Sequence, residues 1–278
     1  MHYAVATIIL VSGIRDNDTT QCSFEDSLLT SRRDIMPVWI PDEIRLALLV
    51  IGCELLWTME SVRPLYRDRP YRWRHALPNL GLTVILILTN IVLSFSSAAG
   101  AAYAEHQHFG LLFLVPAPMW VVVAVGVAGL DLFTYLAHVL LHTSRIAWHF
   151  HRVHHCDREV DVTTAFRQHP GETVWRIFWQ VAAIMVFGIP LWVVVLYLTL
   201  SSFNAQLEHA NITLNARVDW LLRWFIVTPD MHKAHHSRYQ PETDSNYANI
   251  FSLWDRLFGT YTARINFREL RYGLEGEG

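Results

Sequence analysis

The sequence predicts an all-α protein: a membrane-embedded helical bundle of about three spans plus a re-entrant helical hairpin, under a helical cap that holds a histidine-rich centre for two metals. Three observations predict it. Of the 278 residues 52% are hydrophobic and only 17% charged, where a soluble domain carries roughly 25% charged residues. Two apolar runs, residues 80–104 and 111–141, are long enough for the ~20 residues that cross hydrocarbon. Most of the fifteen histidines fall between residues 138 and 236.

Residues 1–36 read as an N-terminal extension, poorly ordered or peripheral. Their apolar stretch, residues 3–11, lacks a basic start and leads into Asp16, Asp18, Glu25 and Asp26, a poor match to a secretory signal. Residues 37–278 read as one membrane domain. Its first apolar run, residues 44–62, is the weakest because it carries Arg45, Glu54 and Glu60, whereas 80–104 has no charge and 111–141 only Asp131. The fourth run, residues 174–203, is broken by Gly188, Ile189 and Pro190, and proline inside a helix removes a hydrogen bond. It is therefore one kinked span or a hairpin whose halves enter and leave on the same side.

Orientation follows from arginine. Arg63, Arg67, Arg69, Arg72 and Arg74 fill the first linker and no basic residue but histidine occupies 104–110, which places the first linker, and the end of the third run, on the cytoplasmic side. The mixed polar remainder, with Trp148, Trp220, Trp224 and Trp254, then forms a cytoplasmic cap. A net charge of −3 argues against nucleic acid. Cys22, Cys53 and Cys156 are too few and scattered for a disulfide framework, which fits a reducing compartment.

The histidines form three boxes. At about 100° per residue, Asp131, Tyr135, His138 and His142 share one helix face. His151, His154 and His155, then His232, His235 and His236, repeat the pattern H-x-x-H-H. Clustered imidazoles repel one another when protonated, which favours the neutral, ligating form. Eight such residues exceed the closed tetrahedral set of a structural zinc, and no H-E-x-x-H is present, so two metals fit the count. Imidazole suits iron, copper, nickel and zinc alike.

Around these boxes the sequence resembles the fatty acid hydroxylase superfamily, the sterol-desaturase-like integral membrane di-iron oxygenases. The residues 164–172, T-A-F-R-Q-H-P-G-E, resemble that family's T-A-x-R-x-H-P-x-E. His209-Ala210-Asn211 resembles its H-x-N; Asp244, Asn246 and Tyr247 match D-x-N-Y; and residues 254–260 match W-D-x-x-F-G-T. Thr228-Pro229 precedes the last box as it does in the family, and Val139 stands where members often have arginine. The resemblance implies the ligand set His138, His142, His151, His154, His155, His169, His209, His232, His235 and His236, with two iron ions, dioxygen as co-substrate and a separate electron-donor protein and reductase; a purified sample could carry zinc. His149 is expected to be exposed.

A ligating histidine usually gives its second N–H to a carboxylate or carbonyl. Asp131, Glu172, Asp244 and Asn246 are the candidates for that role, with Asp230 and, on the same face as the first box, Tyr135. Two redox metals beside a membrane point to an oxidoreductase that hydroxylates or desaturates a lipid: a fatty acyl chain, sterol, alkylglycerol or carotenoid. A histidine-rich metal transporter and a haem cytochrome are the other classes. The cytochrome needs bis-histidine pairs on facing spans and the transporter ligands deep within several spans. Finally, all three boxes must meet, so residues 174–203 must return to the side they left, and they are too few for the ~40 residues of two full crossings. The expectation is two helices joined near Gly188 that dip into the membrane without spanning it.

Overall fold

The computed structural model describes residues 41–66, 71–263 and 270–274. Residues 1–36, with Cys22, and Arg67 and Arg69 of the first linker lie outside the described residues. Every regular element among those described is helical. Three long helices come first: α1 (Asp42–Val62), α2 (Arg72–His106) and α3 (Met119–Thr143). Of the described helices, α2 and α3 are the ones long and apolar enough to cross a membrane.

Their polarity is inside out. On α2 the side chains of Leu77, Val84, Leu88, Val92 and Phe95 face outward, while Asn79, Thr83, Asn90, Ser94 and Ser97 are buried. α1 repeats this, with Ile44, Leu48, Ile51, Leu55 and Met59 outward and Arg45 and Glu60 buried. In water such an arrangement would leave the hydrophobic effect unsatisfied; in hydrocarbon, small and hydroxyl residues pack helices together and apolar ones face lipid. Gln180 Nε2, donating to Ser97 Oγ at 2.8 Å, makes one such interhelical bond.

The interrupted fourth run forms α5 (Pro170–Phe187) and α6 (Leu191–His209). Gly188 takes the left-handed conformation, φ 71°, and its N–H closes the last turn on Ile184 O at 2.8 Å. Pro190 stands just before α6, where its missing N–H removes nothing from the helix. The run is thus two helices joined at Gly188. From the turn, α5 packs on α2 and α3, and α6 on α3 and α1.

A β-carbon on Gly188 would stand 2.7 Å from Phe109 O, and one on Gly110, φ 113°, would overlap the Gly188 backbone. The turn therefore sits against the connection between α2 and α3, as far from the histidines as those long helices reach. α5 and α6 have 18 and 19 residues, and their histidine-side ends carry straight into the cap.

The cap is built from α4 (Arg145–His155), a 3-10 turn (Val162–Phe166), α7 (Ala216–Leu222), α8 (Pro229–His235), α9 (Gln240–Thr243) and α10 (Leu253–Leu257). Ser144 caps α4 through Ala147 N, and Thr228 caps α8 through Met231 N with Pro229 in the first turn. These caps fix where the second and third boxes begin.

Candidate metal centre

Helical spacing divides the boxes between two sites. His138 with His142 and His151 with His155 are pairs four residues apart on α3 and α4, and they meet His235 in one group. His232 and His236, also four apart, meet His154 and His209 in a second. In each H-x-x-H-H the outer pair shares a face and the middle histidine turns to the other group. Within each group the ligand atoms lie within 4.8 Å of one another. The groups adjoin: the rings of His155 and His236, one from each, stack at 4.7 Å.

The hydrogen bonds behind the rings decide what their front nitrogens do. His138 Nδ1 faces Tyr247 O at 2.7 Å, His154 Nδ1 faces Arg167 O at 3.1 Å, His209 Nδ1 faces Ala205 O at 2.7 Å, and His235 Nδ1 faces Ser245 O at 2.7 Å. A carbonyl only accepts, so each Nδ1 carries the proton and each Nε2 presents a lone pair. His142 Nδ1 makes the same contact with Asp244 Oδ1 at 3.2 Å, and His151 Nδ1 stands 3.0 Å from Glu172 Oε2.

Those lone pairs converge. His209 Nε2 lies 3.1 Å from His154 Nε2, 3.0 Å from His232 Nε2 and 3.2 Å from His236 Nε2. One nitrogen without a proton has no bond to give three others, but such separations are the edges of a polyhedron whose corners lie ~2.1 Å from a shared cation. His138 and His155 approach His151 Nε2 at 3.0 and 3.2 Å in the first group. Burial pushes His154 down to about 3 and holds His151, His155, His232, His235 and His236 well below the ordinary imidazole value, so these residues stay neutral. The nine residues therefore fit two metal ions, five ligands to one and four to the other.

His169 departs from its expectation. It lies in neither group; its Nδ1 accepts from Gly171 N at 3.0 Å, the opposite tautomer to the ligands, and its ring stacks on Phe150 at 5.1 Å. The residue caps α5. Asp131 also departs. Its buried carboxylate accepts from Ile250 N at 3.1 Å, Phe251 N at 2.9 Å, Trp254 Nε1 at 2.9 Å and Tyr197 OH at 3.2 Å, tying the chain beyond the last box to α3 and α6. Two helical turns from His138, it sits below the centre rather than behind a ring. Tyr135 bonds Thr260 Oγ1 at 2.9 Å and stacks on Phe258. Asn246, at φ 52°, bonds Met231 O and both backbone groups of Thr262, bracing α8. Glu172 Oε2 stands 3.0 Å from His151 Nδ1 and Asp244 Oδ1 3.2 Å from His142 Nδ1; Asp230 bonds Thr213. His149 is exposed and bonds Arg145 O.

Four residues take places to which the sequence reading gave no role. Tyr247 packs its ring on His138, His142 and His235 at 5.0–5.6 Å; its signal was its place in the D-x-N-Y segment. Arg176 pairs with Glu172 at 2.8 Å, one turn on, the sole charge between residues 173 and 207. Glu208, next to His209, is buried at the edge of the second group. His75, which drew no role from the sequence, joins Asp157 and Asp161 at 2.7 and 3.1 Å and so ties α2 to the loop after the second box.

Comparison with known proteins agrees with the geometry. The family model for fatty acid hydroxylases matches residues 123–260. Alkylglycerol monooxygenase of Xenopus tropicalis is 26% identical over 239 residues, 84% of this chain and 50% of that protein. Ornithine lipid hydroxylase OlsE of Rhizobium tropici is 28% identical over 173 residues, 62% of this chain and 50% of that protein. Alkylglycerol monooxygenase of Homo sapiens is 31% identical over 148 residues, 52% of this chain and 31% of that protein. The chain thus spans about half the length, or less, of these curated relatives. No solved structure matches it.

Proposed function

The chain belongs to the fatty acid hydroxylase superfamily, and from that premise we propose that it is a membrane-bound non-haem di-iron oxygenase. It takes a lipid from the bilayer and uses dioxygen with two electrons from a separate donor protein and its reductase. In hydroxylation the C–H carbon gains one oxygen atom and the other leaves as water; in desaturation two neighbouring hydrogens are lost and both oxygen atoms leave as water. The observation that carries the reading is the double group of Nδ1-protonated histidines, a donor set suited to redox-active iron.

Iron in both groups would supply dioxygen activation and electron transfer. The chain's own residues orient the ligands through Tyr247 O, Arg167 O, Ser245 O, Asp244 and Glu172, keep the imidazoles neutral by burial, and shut water out under the cap. α1, α2 and α3 span the bilayer, α5 and α6 return the chain to one side, and the centre faces the cytoplasm, where Arg63, Arg72 and Arg74 lie.

The test supplies purified, iron-loaded protein with a reductant, labelled dioxygen and mixed membrane lipids, and follows lipid mass. One labelled oxygen per product marks hydroxylation, and a loss of two hydrogens marks desaturation. Turnover undiminished without oxygen, or unchanged lipids with both iron sites filled, would refute the reading.

A further inference from the structure

Six large apolar side chains stand 50–65% exposed on one corner of the cap: Trp220, Leu221, Trp224 and Phe225 on and after α7, and Leu253 and Leu257 on α10. The two stretches make one face. Ser252 Oγ and Arg256 donate to Arg223 O at 2.7 and 2.8 Å, and the Arg256 guanidinium lies over the Trp224 ring at 4.2 Å. A contiguous apolar surface of this kind marks a binding surface, and the depth of α10 identifies what covers it.

α10 is anchored low on α3. Asp131 accepts from Ile250 N, Phe251 N and Trp254 Nε1, Tyr135 stacks on Phe258 at 5.3 Å, and Val139 packs in the same cluster as Trp254. At 1.5 Å per residue Asp131 is only ~18 Å from the start of α3. A hydrocarbon core is ~30 Å thick, so a helix that enters it at Met119 leaves it no earlier than about Val139. Trp120, 72% exposed, marks the entry as an aromatic belt residue, and the irregular chain before Met119 is of a kind that lipid-exposed hydrocarbon excludes. Residues 250–258 therefore lie beside the last part of the α3 crossing, below the bilayer surface rather than above it. α2 agrees. Trp73 and Leu77 are 66% and 63% exposed on either side of His75, which bonds Asp157 in the cap, so the apolar belt reaches the base of the cap.

We propose that the corner formed by α7 and α10 is sunk into the leaflet on the histidine side, where it meets the boundary between headgroups and acyl chains of the bilayer that α2 and α3 cross. Tryptophan suits that boundary. Arg217, one turn before Trp220 and Leu221, and Arg256, over Trp224, set positive charge at the level of the lipid phosphates. Non-helical chain is admitted at that depth only where protein satisfies its backbone, and Asp131 does this for Ile250 and Phe251. The face is thus continuous with the lipid-facing surface of the long helices. This rests on the reading of α2 and α3 as bilayer spans and not on the oxygenase chemistry.

The test reads depth directly. Full-length protein without its native cysteines is spin-labelled singly at Leu221→Cys, Phe225→Cys or Leu257→Cys and placed in nanodiscs of phosphatidylcholine and phosphatidylglycerol. Collisions of each label with oxygen and with a polar nickel complex are compared with those at Leu88→Cys on α2 and Arg158→Cys on the cap. All five positions are exposed, so no label replaces a buried side chain. The oxygen-to-nickel ratio at the three corner positions should match that at Leu88 and exceed that at Arg158 by about tenfold, because hydrocarbon admits oxygen and excludes the polar complex. Corner labels that read like Arg158 while Leu88 reads as lipid would overturn the proposal and leave the spans standing. Labels shielded from both reagents, with spin–spin broadening between chains, would assign the face to a second copy and overturn it as well. Water-like readings at Leu88 would bring down the span reading, and this proposal with it.

Discussion

Glu172 Oε2 stands 3.0 Å from Nδ1 of His151, with both side chains fully buried. Its other oxygen holds Arg176 at 2.8 Å. The carboxylate thus lies against a ligand's ring on one side and has its own charge balanced on the other. Partners of this kind are worth roughly 10–100-fold in metal affinity. Glu172→Ala is therefore expected to weaken metal retention by that factor, measured by dialysis against graded chelator followed by metal analysis. Asp244→Ala should weaken it less, because Asp244 is 43% exposed and its oxygen is 3.2 Å from His142. Retention unchanged in both variants would remove these carboxylates from the centre.

His169 offers the opposite case. The family resemblance includes it among the ligands, while its Nδ1 accepts from Gly171 N at the start of α5. His169→Ala should leave two metals bound and remove a helix cap, about 1 kcal/mol. For a chain of this size that lowers the melting midpoint by roughly 2–4 °C. Loss of a metal in this variant would return His169 to the ligand set.

The boxes were legible because the i,i+4 period of a helix is written directly in the spacing of His138 and His142, of His151 and His155, and of His232 and His236. Their division between two metals was not, since it depends on how α4 and α8 face each other across the cap. Asp131 shows the same boundary. Spacing put it on the ligand face of α3, but a face says nothing of height, and two turns of helix carry it ~10 Å away from His138. Tyr247 and Glu208 lay beside residues already singled out, and only tertiary packing turned one onto three imidazoles and the other into a cavity.

Asp131 is accordingly expected to act on stability. Asp131→Asn keeps the volume but replaces an acceptor by an NH2 that faces N–H donors, stranding at least one of the groups at Ile250, Phe251 and Trp254. The loss should be about 3 kcal/mol, read as a lower midpoint of thermal unfolding in detergent. Metal content at low temperature should stay at two ions per chain. A variant as stable as the parent but short of metal would reverse this assignment and place Asp131 in the centre.

With a metal in each of the two groups, the topology would follow from the ligands. His154 on α4 and His232 on α8 belong to one group, yet α5 and α6 separate them in sequence, so that intervening segment must cross the bilayer an even number of times or not at all. Its turn at Gly188 packs against the residues 109–113 that join α2 to α3, which makes a full-depth return the expected case. In a background lacking Cys22, Cys53 and Cys156, single cysteines at the exposed positions Arg158 and Arg238 should react with an impermeant reagent from the same side, and one at Phe109 from the other. Gly188→Val should be strongly destabilised, because a side chain at φ 71° would press on Phe109 O and Phe113. Labelling of Arg158→Cys and Arg238→Cys from opposite sides would be incompatible with a metal shared by α4 and α8, since imidazole nitrogens ~2 Å from one ion leave no room for ~30 Å of hydrocarbon between them.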